Sequence, residues 1–85
     1  MITSSQLRAA RALLGLDQKQ LADLSDLSLP TIQRMEGSDE MIRGNVESLT
    51  KLVTALNRAG IELIGEKDTS TGQGRGVRLI ETKEQ

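Results

Sequence analysis

Leu7, Ala10, Arg11 and Leu14 stand at i, i+3, i+4 and i+7, the spacing that places them on one face of a helix. Thr3 or Ser4 can cap the free N–H groups at its start, and Gly15 supplies the left-handed residue that ends it. Asp17 with Gln20 forms a D-x-x-Q capping pair for a second helix over 18–25, in which Leu21 faces inward and Ala22 is small enough for close approach. Asp26-Leu27-Ser28 is a three-residue turn. Ser28 then caps a third helix over 29–37, with Pro30 in the first turn, Ile32 and Met35 inside, and Gly37 as the stop. After a loop over 38–44, Asn45 caps a fourth helix over 46–59, whose expected inner face is Val46, Leu49, Leu52, Val53, Leu56 and Ala59. Gly60 followed by Ile61 is a glycine cap with its apolar successor.

Beyond Gly60 the period shortens from helical to two. Ile61 and Leu63 alternate with Glu62, and Val77 and Leu79 alternate with Arg78, which predicts two short strands. The expected organisation is a helical unit over 1–60, a β-hairpin over 61–81 with a glycine-rich loop over 66–76, and a frayed tail over 82–85. An isolated two-stranded hairpin is marginal in water. It must pack on the helices or complete a sheet with a second copy of the chain, which would make a symmetric homodimer.

Composition narrows the chemistry. Eighty-five residues suffice for one small domain. Without Cys or His there is no disulfide, no thiolate metal site and no imidazole ligand or base, so no metal and no cofactor is expected. No pair of carboxylates sits in a catalytic arrangement, and an enzyme is not expected. Aromatics are absent, so the core must be aliphatic and base stacking on single strands is excluded. No apolar run reaches membrane-spanning length, and Met1-Ile2 leads into polar Thr-Ser-Ser without a signal-peptide pattern, so a cytoplasmic setting is expected. Gly72-Gln-Gly-Arg-Gly lacks the Lys-Ser/Thr of a phosphate loop and no helix starts there, so it reads as hairpin loop.

Two short helices joined by a three-residue turn have the spacing of a helix-turn-helix, which lays its second helix in the DNA major groove. Charge complicates that reading. The full chain carries net −1, and between Asp17 and Arg43 three cations (Lys19, Arg34, Arg43) meet six acids (Asp17, Asp23, Asp26, Glu36, Asp39, Glu40). The segment that would face DNA is therefore acidic by three charges.

These residues resemble the Cro/cI-type family of bacterial and phage regulators, also called the xenobiotic-response-element family. The resemblance covers about Leu7 to Leu56 and rests on Arg11-x-x-x-Gly15-Leu16-x-Gln18-x-x-Leu21-Ala22, then Leu27-Ser28-x-x-x-Ile32-x-x-Met35-Glu36. It implies a mainly α, lambda-repressor-like four-helix domain, here followed by the short C-terminal hairpin. It also implies a partly buried ion pair between Arg11 and Glu36, and a phosphate and base-edge contact at Gln18. The chain departs from the pattern at Asp26, where the turn usually holds Gly, and at Ser38-Asp39-Glu40, where the family is often basic. Asp tolerates the left-handed conformation, so the turn should survive; the two loop acids would repel a DNA backbone.

On the third helix, Leu29, Pro30, Thr31, Gln33 and Arg34 form the expected outer surface. Gln can bond an adenine edge, Arg a guanine O6/N7 edge, and Thr or Leu can touch a thymine methyl. An ordinary solvated helix face is the plainer alternative. Lys19 and Arg43 could reach phosphates, or could be merely solvated. Leu24 and Leu29 replace residues that the motif normally leaves polar, and with Asp39 and Glu40 they are candidates for a protein-binding patch. The expected function is a sequence-specific, repressor-like DNA-binding transcriptional regulator, partnered by a double-stranded operator. The alternative is an antiactivator, a module of the same fold that binds a transcription factor instead of DNA. An antitoxin combining both activities is a third reading.

Overall fold

The computed structural model describes residues 2–38, 40–65, 72 and 74–80. Four helices, α1 (Ser4–Leu14), α2 (Gln18–Ser25), α3 (Leu29–Glu36) and α4 (Val46–Arg58), are followed by strands β1 (Ile61–Ile64) and β2 (Gly76–Leu79). Each helix opens on a side-chain cap. Thr3, Asp17, Ser28 and Asn45 accept from the backbone N–H three residues on, and both Thr3/Gln6 and Asp17/Gln20 close reciprocal capping boxes. Asp26 adopts the left-handed conformation (φ 59, ψ 41), as the inter-helix turn demands, and its N–H bonds back to the last turn of α2.

The core is wholly aliphatic: Leu7 and Ala10 of α1, Leu21 and Ala22 of α2, Ile32 and Met35 of α3, and Leu52 and Leu56 of α4. Three further core residues lie outside the helices. Ile2, Ile42 and Ile61 are buried, and Ile2 and Ile42 face each other because the N-terminal segment pairs with the α3–α4 loop (Ile42 N–H to Ile2 O, 2.9 Å). That pairing draws the chain's start into the core alongside the end of α3.

Three of the six expected inner positions of α4 lie outside the core: Val53 and Ala59 are half-buried, and Val46 is exposed. Val46 is 81% exposed, because the first turn of α4 projects beyond the elements it packs on. The buried stripe begins one turn later, at half-buried Leu49, and runs through Leu52, Ala55 and Leu56. Helix α4 also ends a residue earlier than expected, with Ala59 as cap and Gly60 at φ +101 making the turn into β1.

The hairpin is antiparallel with Ile61 opposite Leu79, Glu62 opposite Arg78, Leu63 opposite Val77 and Ile64 opposite Gly76. Gly76, expected in the loop, thus belongs to β2. Residues 66–71 and 73 of the expected loop, and 81–85, lie outside the described residues. The sheet lies against the helices: β2 packs on α1 and β1 on α4. Gln6 fixes this docking. It is 4% exposed, and its amide donates to Ile64 O (3.0 Å) and Gly76 O (2.9 Å), while its Oε1 accepts from the N–H of Thr3 (2.9 Å). One side chain caps α1 and holds both strands.

Candidate nucleic-acid interface

Helix α3 is fixed from behind. Ile32, Met35 and Glu36 are buried, whereas Pro30, Gln33 and Arg34 are exposed and Leu29 and Thr31 half-buried. Thr31 Oγ1 shares a hydrogen bond with the Ser28 hydroxyl at 2.8 Å, which ties it to the cap. Gln33 and Arg34 have no side-chain partner among the described residues, so their donors remain available.

Glu36 anchors the other end of α3. Its carboxylate accepts from Arg11 Nε at 2.8 Å and Nη2 at 3.0 Å, and from the Gln18 amide at 3.1 Å. Arg11 also donates to Leu16 O at 3.2 Å, and Arg8 donates to the backbone carbonyl of Glu36. The hydrogen bond to Glu36 raises the Arg11 pKa above its ordinary value; partial burial opposes it, and the charges of Glu36 and Asp17 add to the rise. A guanidinium so held stays charged across neutral and alkaline pH. The stability contributed through Arg11 is therefore present below the ordinary arginine pKa and is lost as pH rises through the still higher folded value. Because a carboxylate only accepts, the Gln18 amide must turn its NH₂ toward Glu36. One N–H and the carbonyl oxygen of Gln18 are left for other partners.

From the opposite side, Ser4 holds the exit of α3. This hydroxyl is buried and donates to Met35 O (2.6 Å), pairs with the Ser38 hydroxyl, and its backbone N–H reaches Glu40 O (3.1 Å). The loop leading to Arg43 is thereby set relative to α3.

These contacts alter the electrostatics expected from sequence. Arg8 and Arg11 come from α1 to Glu36, and Lys51 of α4 lies 3.4 Å from Asp26. None of the three is counted between Asp17 and Arg43; Lys51 also lies 3.9 Å from Glu47, so together they offset two of the three excess acids of that segment. Lys19 and Arg43 are exposed at its two ends. Glu40 is exposed, and Asp39 lies outside the described residues.

Residues 7–42 match the helix-turn-helix family model. This segment is a helix-turn-helix of the Cro/cI type. The matched stretch runs from the middle of α1, through both helices of the motif, to buried Ile42 of the following loop. The family is one of DNA-binding regulators, not of enzymes. No curated protein matches the chain. Among the described residues no helix is long and apolar enough to cross a membrane.

Within the helix-turn-helix, Gln18, Thr31, Gln33 and Arg34 lie on or beside the outer side of the motif. Leu24 faces elsewhere. It is 47% exposed and, with Asp26, Lys51, Thr54 and Arg58, lines a groove between α2 and α4 that does not include Leu29. Arg8 and Lys51 escaped sequence reasoning, and Ser4 entered it only as a possible cap. Gln6 was not singled out either; the Thr-x-x-Gln spacing at 3–6 could have marked it, though only as a cap.

Proposed function

We propose that the chain is a sequence-specific, repressor-like transcriptional regulator that reads the DNA major groove with α3 and binds a two-fold operator as a homodimer. The observation that carries this reading is the contrast along α3: Ile32, Met35 and Glu36 are buried, while Gln33 and Arg34 are exposed on the same helix with no side-chain partner among the described residues. A rigid helix bearing free donors is what base-edge readout requires. In this reading Arg34 and Gln33 bond base edges, with Thr31, Leu29 and Pro30 in apolar or van der Waals contact. Gln18, the N-terminus of α2, Lys19 and Arg43 hold phosphates. The charge balance largely restored by Arg8, Arg11 and Lys51 supports it, because the surface is then near neutral.

Selection from a random duplex library followed by anisotropy titration tests the proposal. A bound consensus with two inverted half-sites is the expected result, and absence of binding to any duplex at low salt refutes it. Exposed Asp23 and Leu24 of α2, beside the α4 groove, favour a second reading, the antiactivator, in which this face docks a transcriptional activator. A chain that ignores duplex DNA but forms a defined, salt-sensitive complex with such an activator would establish that reading instead.

A further inference from the structure

Gln18 is the first residue of α2 and Glu36 the last of α3, and their side chains meet across the motif at 3.1 Å. Glu36 is 5% exposed and both of its oxygens are occupied. Oε2 accepts from Arg11 Nε, and Oε1 accepts from both Arg11 Nη2 and the Gln18 amide. A carboxylate bonded twice by a guanidinium carries no proton, so only the NH₂ of Gln18 can face it. With the amide turned round, its carbonyl oxygen would sit against the carboxylate. A hydrogen bond to a charged group favours one such orientation by about tenfold to a hundredfold. Arg11 adds a second constraint, because it also donates to Leu16 O and so holds the turn that leads into α2.

The orientation decides what Gln18 offers to a ligand. Its side chain is half-buried, and its Oε1 accepts from no donor among the described residues. Glu36 takes one N–H, which leaves the second N–H and Oε1. Phosphate oxygens accept and do not donate, so the second N–H can bond the DNA backbone but Oε1 cannot. In the major groove the donors are exocyclic amino groups, adenine N6 and cytosine N4, whereas guanine O6 and thymine O4 accept. A glutamine free to flip would match either set and discriminate little.

Given the operator reading above, we propose that Glu36 is a positioning residue for base readout. By fixing the Gln18 amide it keeps Oε1 as the outward group, so that α2 selects a base bearing an exocyclic amino group, adenine or cytosine. Glu36 thus has a second task beside its ion pair with Arg11, performed without touching DNA.

Glu36→Gln tests this. An amide at position 36 can accept from Arg11 and present either its oxygen or its NH₂ to Gln18, which releases Gln18 to adopt both orientations. Parent and variant are each put through selection from a random duplex library. The parent should show one position per half-site that prefers adenine or cytosine by about fivefold to tenfold, and the profile names which of the two. Gln18→Ala should flatten that position. Glu36→Gln should flatten it as well, by admitting guanine and thymine, and should leave the profile unchanged when added to Gln18→Ala. A purely structural Glu36 would instead lower affinity evenly across all positions, with or without Gln18, and that result overturns the proposal. If circular dichroism shows Glu36→Gln unfolded, the parent's own side-chain amide decides. One N–H of Gln18, assigned as the signal that vanishes in Gln18→Ala, should exchange with solvent at least about tenfold more slowly than those of exposed Gln33; equal exchange overturns the proposal. A parent that binds no duplex overturns the operator reading and this one with it, whereas a specific operator read identically by Glu36→Gln overturns this one alone.

Discussion

Replacing Gln6 with glutamate should separate two tasks that one side chain performs. In a capping box, glutamate serves as well as glutamine at this position, because only an acceptor for the Thr3 N–H is needed. Judged on the helix alone, Gln6→Glu is neutral or mildly stabilising. The hairpin demands the opposite. Ile64 O and Gly76 O, at 3.0 and 2.9 Å, would face a carboxylate that cannot donate. Two hydrogen bonds are lost at about 1 kcal/mol each, and a charge 4% exposed beside two carbonyl dipoles adds about 1–3 kcal/mol. A total of about 3 to 5 kcal/mol is a large part of the stability of so small a domain. With a urea m-value of about 1 kcal/mol/M, the unfolding midpoint should fall by at least about 3 M. The deficit should also depend on pH. Burial against carbonyls disfavours the charged form and raises the folded-state pKa of the new carboxyl, so the variant loses stability as pH rises past about 4.3 and regains it in acid, where a protonated carboxyl can donate once. Equal stability of variant and parent at neutral pH, or a deficit that does not shrink in acid, would refute the pin.

Arg11→Met should destabilise by about 3 kcal/mol, since it strands the Glu36 carboxylate at 5% exposure; Glu36→Gln, which keeps the shape and removes the charge, should cost less, and urea melts rank the two. Gly15→Ala meets open space but must hold φ near +70, so a loss of about 1 kcal/mol from backbone strain alone is expected in the same melts. In anisotropy titrations, Arg34→Ala should weaken operator binding by about 1–3 kcal/mol and relax one base position, whereas Lys19→Ala should weaken all sequences evenly and lower the salt slope by about one. An operator bound unchanged by Arg34→Ala would remove that residue from the reading head.

The helices were legible because their signals are local. Caps at Asp17, Ser28 and Asn45, the apolar spacing of Leu21, Ile32 and Leu52, and the left-handed Asp26 all act within a few residues. What could not be read lies in pairs far apart in sequence. Ile2 and Ile42 read as loop residues until the backbone pairing brings them together, and Gln6 gives no sign that it reaches Ile64 and Gly76. Val46 continues the helical period but lies one turn past the packed surface, and periodicity cannot say where a neighbour ends. The acidic count between Asp17 and Arg43 was correct as arithmetic. It misled because Arg8, Arg11 and Lys51 arrive from other helices.

The pinning of β1 and β2 by Gln6 also bears on the order in which the molecule can be made. Gln6 leaves the ribosome before its partners, and the carbonyls of Ile64 and Gly76 follow 58 and 70 residues later. Until then the Gln6 amide and the apolar floor meant for Ile61 face water, so a nascent chain ending at Gly60 has every helix in its sequence and yet an unfinished core. Closure then comes late and all at once, through contacts of high sequence separation, which slows folding relative to an all-local helical bundle. A fragment cut at the helix–hairpin boundary should accordingly behave as a loose helical ensemble rather than as a smaller version of the same domain.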